Sequence, residues 1–215
     1  MRTILISGAS SGIGLKIAHK LLKEGNRVSA GIRDLESLEG SIIDPRNWPN
    51  EQLILNKYDA LDKNSSKNWI SNTVKSFGSF DTLINSAGIL SKVPFLYKDD
   101  DLDEIDKTMK INFLAVWDLS RLCWEYLSSS KNGRIISIVS MSGKRSKGNL
   151  AAYSCSKFAL MSICQTMRNV GWEKGIRVTT ICPSWVNTKM AQGVKTIDKL
   201  ETVSYTHLTL PTTPV

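Results

Sequence analysis

Short apolar runs alternate along this chain with longer stretches in which apolar residues recur every three or four positions. The runs Arg2 to Ser7, Arg27 to Ile32, Leu53 to Tyr58, Asp81 to Asn85, Arg134 to Ser140 and Ile176 to Cys182 have the length and apolar density of buried strands. Between them, Ile13, Ile17 and Leu21 predict a helix ended by Gly25, and Trp69, Ile70, Val74 and Phe77 predict one over about Asn64 to Phe77. A long helical stretch, Asp99 to Ser128, carries Ile105, Met109, Phe113, Val116 and Leu119 on one side. Its acidic start suits the positive end of a helix dipole and is not read as a metal site. A further helix holds Tyr153 and runs to about Gly171, while Asp34 to Gln52, with Pro45, Trp48 and Pro49, reads as a loop with at most a short helix. Strand and helix alternating six times predict an α/β fold: one doubly wound parallel sheet with helices on both faces, in three layers and one domain.

Composition narrows the class without naming the chemistry. At 215 residues, 41% hydrophobic and 22% charged, the sequence suits a water-soluble globule with a sizeable core. No apolar run approaches the ~20 residues of a membrane span, and the start is too short and too soon followed by glycines for a signal peptide. Four cysteines show no Cys-x-x-Cys pair and no metal-ligand spacing, so free thiols, no metal and a cytoplasmic location are expected. The net charge of +8 comes from scattered lysines with no aromatic-interleaved tract, which argues against nucleic acid and favours at most a small anionic ligand.

Chemistry concentrates where strands end. Gly8-Ala9-Ser10-Ser11-Gly12-Ile13-Gly14 lies between the first strand and the first helix. Glycines there let a pyrophosphate approach the backbone, and a helix N-terminus offers unpaired N–H groups. The second strand ends in Ile32-Arg33-Asp34. A basic Arg33 suits the 2′-phosphate of NADP, unless Asp34 pairs with it. Small residues after strand four, Asn85-Ser86-Ala87-Gly88, would let a ring or ribose lie against backbone. Tyr153 and Lys157, four apart, fall on one helix face, where an ammonium would lower the phenol pKa toward a usable acid/base. Ser140, thirteen residues upstream of Tyr153, is placed to hold a substrate oxygen, and Asn112 is either a satisfied structural amide or part of a proton path.

With these residues laid out, the sequence over about Arg2 to Met190 resembles the short-chain dehydrogenases/reductases. Gly8, Gly12 and Gly14 match that family's Gly-x-x-x-Gly-x-Gly loop, and Asn112, Ser140, Tyr153 and Lys157 match its catalytic tetrad. Asp59, followed by Ala60, matches the acidic residue used near the adenine. Asn85, Ala87 and Gly88 match Asn-Asn-Ala-Gly with Ser86 substituted, and Pro183, Val186 and Thr188 match Pro-Gly-x-Val-x-Thr with Ser184 substituted. The resemblance implies a Rossmann-like fold and a cofactor, NADP(H) in preference to NAD(H), held by the glycine loop (Ser10, Ser11 and Ile13 included), Arg33 and these motifs. It also implies interconversion of a small-molecule carbonyl and alcohol with Tyr153 as acid/base, Ser140 on the substrate oxygen, Lys157 lowering the tyrosine pKa and holding a ribose, and Asn112 anchoring a water. Family members commonly form dimers or tetramers through the helices of Asn112 and Tyr153, so a homo-oligomer is expected. A catalytically silent NADP(H)-binding sensor of the same fold is the alternative, and the complete tetrad argues against it. The extended nucleotide-sugar epimerases share Tyr-x-x-x-Lys, but their glycine spacing differs.

The end of the chain departs from this pattern. Val203 to Thr212 has no charge, no helical period and no glycine, and resembles an in-frame translation of a sequencing-library adapter. The catalytic domain is therefore expected to occupy 1–202, incomplete at its C-terminus, with 203–215 a non-native tail.

Overall fold

The computed structural model describes residues 1–146 and 148–192; the expected tail and the boundary near Thr202 lie outside the described residues. Among the described residues, six strands, β1 (Thr3–Ser7), β2 (Arg27–Ile32), β3 (Leu53–Lys57), β4 (Thr82–Asn85), β5 (Arg134–Ile138) and β6 (Arg177–Ile181), form one sheet in the order β3-β2-β1-β4-β5-β6. Every pairing is parallel, so each connection must cross a face of the sheet. The crossovers carry α1 (Gly12–Lys23), α2 (Lys63–Phe77), α3 (Leu102–Met109), α4 (Ala115–Ser129) and α5 (Ala151–Gly171). Burial reflects this layering: β1 and β2 are almost wholly buried, as a strand covered on both faces must be.

Two apolar cores lie on the two faces. One gathers Leu5, Trp69, Phe80, Leu83, Leu119 and Ile135 under α2, α4 and α5; the other gathers Ile4, Ile6, Ala18, Leu22, Val28 and Ile84 under α1. Trp69 belongs to the first, and its ring lies so close to Gly31 of β2 that a Cβ there would sit 2.7 Å from ring carbons. Its indole N–H donates to Ser29 Oγ at 2.8 Å. That satisfies the polar end of a fully buried tryptophan.

The helices differ from the sequence expectation in register. On α1 the buried residues are Gly14, Ala18 and Leu22, with Ile13, Ile17 and Leu21 only half-buried. Close approach at the glycine loop leaves no room for a side chain at Gly14, where this line begins. The predicted continuous helix from Asp99 is instead a 3-10 turn at Asp99–Asp101, α3, a π-helical turn at Lys110–Leu114, and α4. The wider turn rotates the helix face. Ile111 and Asn112 are consequently buried, whereas Ile105, Met109 and Phe113 are only partly covered.

The parallel registers bring the strand ends to one edge. Ser7 lies opposite Gly31 and Asn85, Asn85 opposite Ser137, and Ile138 opposite Ile181. The loops leaving the C-terminal ends of the strands therefore emerge on the same side of the molecule, where open α/β sheets bind ligands.

Candidate active site

After β1, Gly8 and Gly14 stand where backbone leaves no room for a Cβ. Gly8 has φ +69°, and a Cβ on it would meet the Ala87 Cα at 2.7 Å. A Cβ on Gly14 would collide with the Gly8 carbonyl. The first turn of α1 contains no acidic residue, and its N-cap Ser11 makes no side-chain capping bond. That end of the helix keeps its positive potential and N–H donors for an anion.

A cleft of about 570 Å³ runs along the strand ends. Gly8 and 10–14 line it, as do Arg33 after β2, Asp59 and Ala60 after β3, and Ala87 and Gly88 after β4. Ser140 follows β5, Tyr153 and Lys157 stand on α5, and Pro183, Val186 and Thr188 follow β6, all on the same cleft. A chain of contacts from phosphate loop to sheet edge, able to take an elongated dinucleotide, fits this donor set. The Asp34 carboxylate accepts from the Glu36 N–H at 3.1 Å and does not pair with Arg33, which stays exposed.

Two expected site residues do not line the cleft. Asn85 is 2% exposed and turns inward, donating to Ser120 and Ser137 Oγ at 3.3 Å each. As the last residue of β4 it points to the α4 side of the sheet, so Ser86 to Leu90 form the wall instead. Asn112, fully buried in the π turn, clamps the main chain of Ile89: its Oδ1 accepts from the Ile89 N–H at 2.8 Å, and its Nδ2 donates to the Ile89 carbonyl at 2.9 Å. Nδ2 also donates to Ser156 Oγ at 3.1 Å, so both amide hydrogens are committed. Ser156 in turn donates to the Tyr153 carbonyl at 2.7 Å. The clamp thus joins the cleft wall to the helical turn between Tyr153 and Lys157. Sequence reasoning missed Ser156; its only signal was a small polar residue inside the Tyr-x-x-x-Lys interval.

The electrostatics differ from expectation in one respect. Burial raises the Tyr153 phenol above its ordinary pKa, and a hydrogen bond with Ser140 only partly offsets this. The phenol is therefore not brought below its ordinary value in the cofactor-free chain. The Lys157 ammonium is itself buried and its pKa falls to about 8, its Nζ donating to the Ile138 carbonyl at 3.2 Å and lying 5.7 Å from the Tyr153 ring centroid. Desolvation disfavours the charged form of each. Ser140 itself is held at φ 133°, a region that side chains other than glycine rarely enter, and its hydroxyl accepts from the Ser142 N–H at 3.1 Å. Backbone strain is often concentrated at working groups.

Comparison with known proteins agrees with this geometry. The short chain dehydrogenase family model matches residues 2–198. The chain is 37% identical over 188 residues to an agropine synthesis reductase of Rhizobium rhizogenes, covering 87% of this chain but 43% of that protein, so it spans less than half that relative's length. Among solved structures, levodione reductase superposes with a TM-score of 0.82 at 26% identity, covering 89% of this chain and 74% of that one. A Caenorhabditis elegans short-chain dehydrogenase/reductase solved with its cofactor gives 0.80 at 28%, covering 90% and 73%. Among the described residues, no helix is long and apolar enough to cross a membrane. The chain belongs to the short-chain dehydrogenase/reductase family.

Proposed function

We propose that this chain is an oxidoreductase that interconverts a carbonyl and an alcohol on a small molecule, with NADP(H) as the preferred cofactor. The observation that carries the reading is the meeting of Ser140, Tyr153 and Lys157 on the cleft that begins at the glycine loop. A bound nicotinamide would supply the hydride in reduction and take it in oxidation.

The protein's own residues do the rest. Ser140 donates its hydroxyl hydrogen to the substrate oxygen and fixes it beside the phenol. Tyr153, kept neutral by burial, gives its proton to that oxygen as negative charge develops there. Lys157 holds ribose hydroxyls and supplies positive potential under the phenol. Asn112 braces the wall through Ile89, and with both amide hydrogens used, a relay water would have to donate to Oδ1 or to the main-chain carbonyl. Gly8, Ser10, Ser11, Gly12, Ile13 and Gly14 seat the pyrophosphate, with Asp59, Ala60, Ala87 and Gly88 along the adenosine half and Pro183, Val186 and Thr188 beside the nicotinamide half. The exposed Arg33, free of Asp34, meets the 2′-phosphate. The half-exposed Leu114, Trp117 and Phe158 on the π turn, α4 and α5 support a homo-oligomer formed through these helices.

Tyr153→Phe tests the core of this reading. It should abolish turnover while NADPH, followed by its fluorescence, binds within about twofold of the parent. Substantial residual turnover would refute the assignment. For Arg33, a side-by-side titration should show NADPH binding at least about tenfold more tightly than NADH, and Arg33→Ala should erase the difference. Equal affinities in the parent would remove Arg33 from the role.

A further inference from the structure

Among the described residues, five bases, Arg33, Lys107, Arg145, Lys157 and Lys189, and one carboxylate, Asp59, line the cleft. Most of these bases have work in the oxidoreductase reading or stand near groups that do. Arg33 faces the adenosine end, and Lys157 stands under the phenol. Lys189 follows Thr188, whose Cγ2 would touch a Cβ built on Gly12 at 3.3 Å, so this segment sits over the phosphate loop. Lys107 projects from α3. Neither Lys107 nor Arg145 has an assigned role, and of the two Arg145 shares the β5 loop with Ser140.

Arg145 belongs to the loop after β5, five positions beyond Ser140, and lines the cleft with Ser140, Ser142 and Tyr153. Its main chain is fixed: the Arg145 N–H donates to the Met141 carbonyl at 3.0 Å, and the Met141 N–H donates to the Pro183 carbonyl at 2.9 Å. The loop is thus pinned at its root to the segment after β6, while the guanidinium is exposed and makes no hydrogen bond or ion pair with a described residue. Asp59 cannot neutralise it. It follows β3, and Arg145 follows β5, four strand positions away in the order β3-β2-β1-β4-β5. At ~4.8 Å per strand that is roughly 19 Å, more than two Debye lengths at physiological salt.

Resting on the oxidoreductase reading, we propose that the substrate is an oxo acid or hydroxy acid whose carboxylate is received by Arg145 while Ser140 and Tyr153 hold the reacting oxygen. A guanidinium matches a carboxylate with two parallel N–H···O bonds, so it fixes direction as well as charge. The neighbouring Leu150, Met141 and Trp185 supply apolar walls for the intervening carbons. Arg145 is thereby a specificity-determining residue and takes no part in proton or hydride transfer.

The test compares graded α-oxo and β-oxo acids with their methyl esters, using the full chain and NADPH. The parent should favour the acid form of its best substrate over the ester by at least about tenfold in kcat/KM. Arg145→Gln should lose most of that preference through KM, with ester turnover and NADPH binding unchanged, and Arg145→Lys should recover part of it. Added salt should weaken acid turnover in the parent and not in the glutamine variant. Equal use of acid and ester by the parent, or an unchanged ratio in Arg145→Gln, would overturn the proposal while leaving the oxidoreductase reading intact. If neither form is turned over, thermal shifts in the presence of NADPH decide the anion site. Stabilisation by acids alone, lost in Arg145→Gln, would uphold it, and no selective stabilisation would refute it.

Discussion

Ser140 and Lys157 are both held at a cost to folding, and each cost can be measured. At φ 133°, Ser140 carries backbone strain on the order of 1–3 kcal/mol. Alanine keeps the Cβ and therefore the strain, whereas glycine relieves it. Ser140→Gly should be about 1 kcal/mol more stable than Ser140→Ala in denaturant titrations, with both slow in catalysis. Equal stabilities would mean that the backbone is relaxed at this residue. For Lys157, burial lowers the folded pKa from 10.5 to about 8. The buried ammonium is therefore destabilising below about pH 8, and stability from this group rises with pH between about 8 and 10.5, where only the unfolded chain still binds the proton. Lys157→Met should raise the thermal midpoint of the cofactor-free protein at pH 7 by a few degrees while abolishing turnover, and the gain should shrink toward pH 10. The same titration shapes catalysis. With Tyr153 protonated and Lys157 charged at neutral pH, carbonyl reduction should be level below about pH 8 and fall above it. A reduction rate that climbs through pH 8 would contradict both assignments.

Among the elements, the π turn at Lys110–Leu114 shows what a sequence pattern conceals. Apolar spacing predicted one helix, and the helix exists, but one wider turn puts Asn112 inward against Ile89 and Ser156. Periodicity is too coarse to reveal a single irregular turn, because the sequence on either side remains helical. Ser156 was invisible for a related reason: its hydroxyl works by bonding partners 3 and 44 residues away in sequence, and the longer of these contacts has no local signature. Asn85 shows the opposite failure. Its motif was legible, but β-strand alternation turns its side chain toward Ser120 and Ser137 and away from the cleft. By contrast, the glycine loop and the Tyr153–Lys157 pair were legible because each is written in one short stretch of chain, although the crowding that requires Gly8 comes from Ala87. Ser156→Ala should strand an Asn112 amide hydrogen in the core and cost about 1–3 kcal/mol in stability. By loosening the turn that carries Tyr153, it should lower kcat more than it raises the KM for NADPH. A loss confined to stability would leave Ser156 a structural residue only.

In the molecule as a whole, the alternation of strands and helices announced a parallel sheet, but no local pattern states that β1 sits between β2 and β4. That order decides where chemistry and rigidity lie. β1 is paired on both sides and buried, whereas β6 is only half-buried and, among the described residues, pairs with β5 alone. Backbone hydrogen bonds at a half-solvated strand open at lower free energy than those of a covered central one. The end of the cleft proposed to take the adenosine and phosphates follows β1, β2 and β3, while Pro183, Val186 and Thr188 follow β6. Cofactor binding should therefore stabilise the two ends unequally. In hydrogen exchange, β1 and β2 amides should be the slowest in the free protein, and β6 amides should exchange much faster. Adding NADPH should slow β6 and the segment after it by a larger factor than β1, because ligand contacts there add to few existing ones. If β6 were already as protected as β1 without ligand, its edge would be covered in solution. If NADPH protected β1 alone, the segment after β6 would have no part in holding the cofactor.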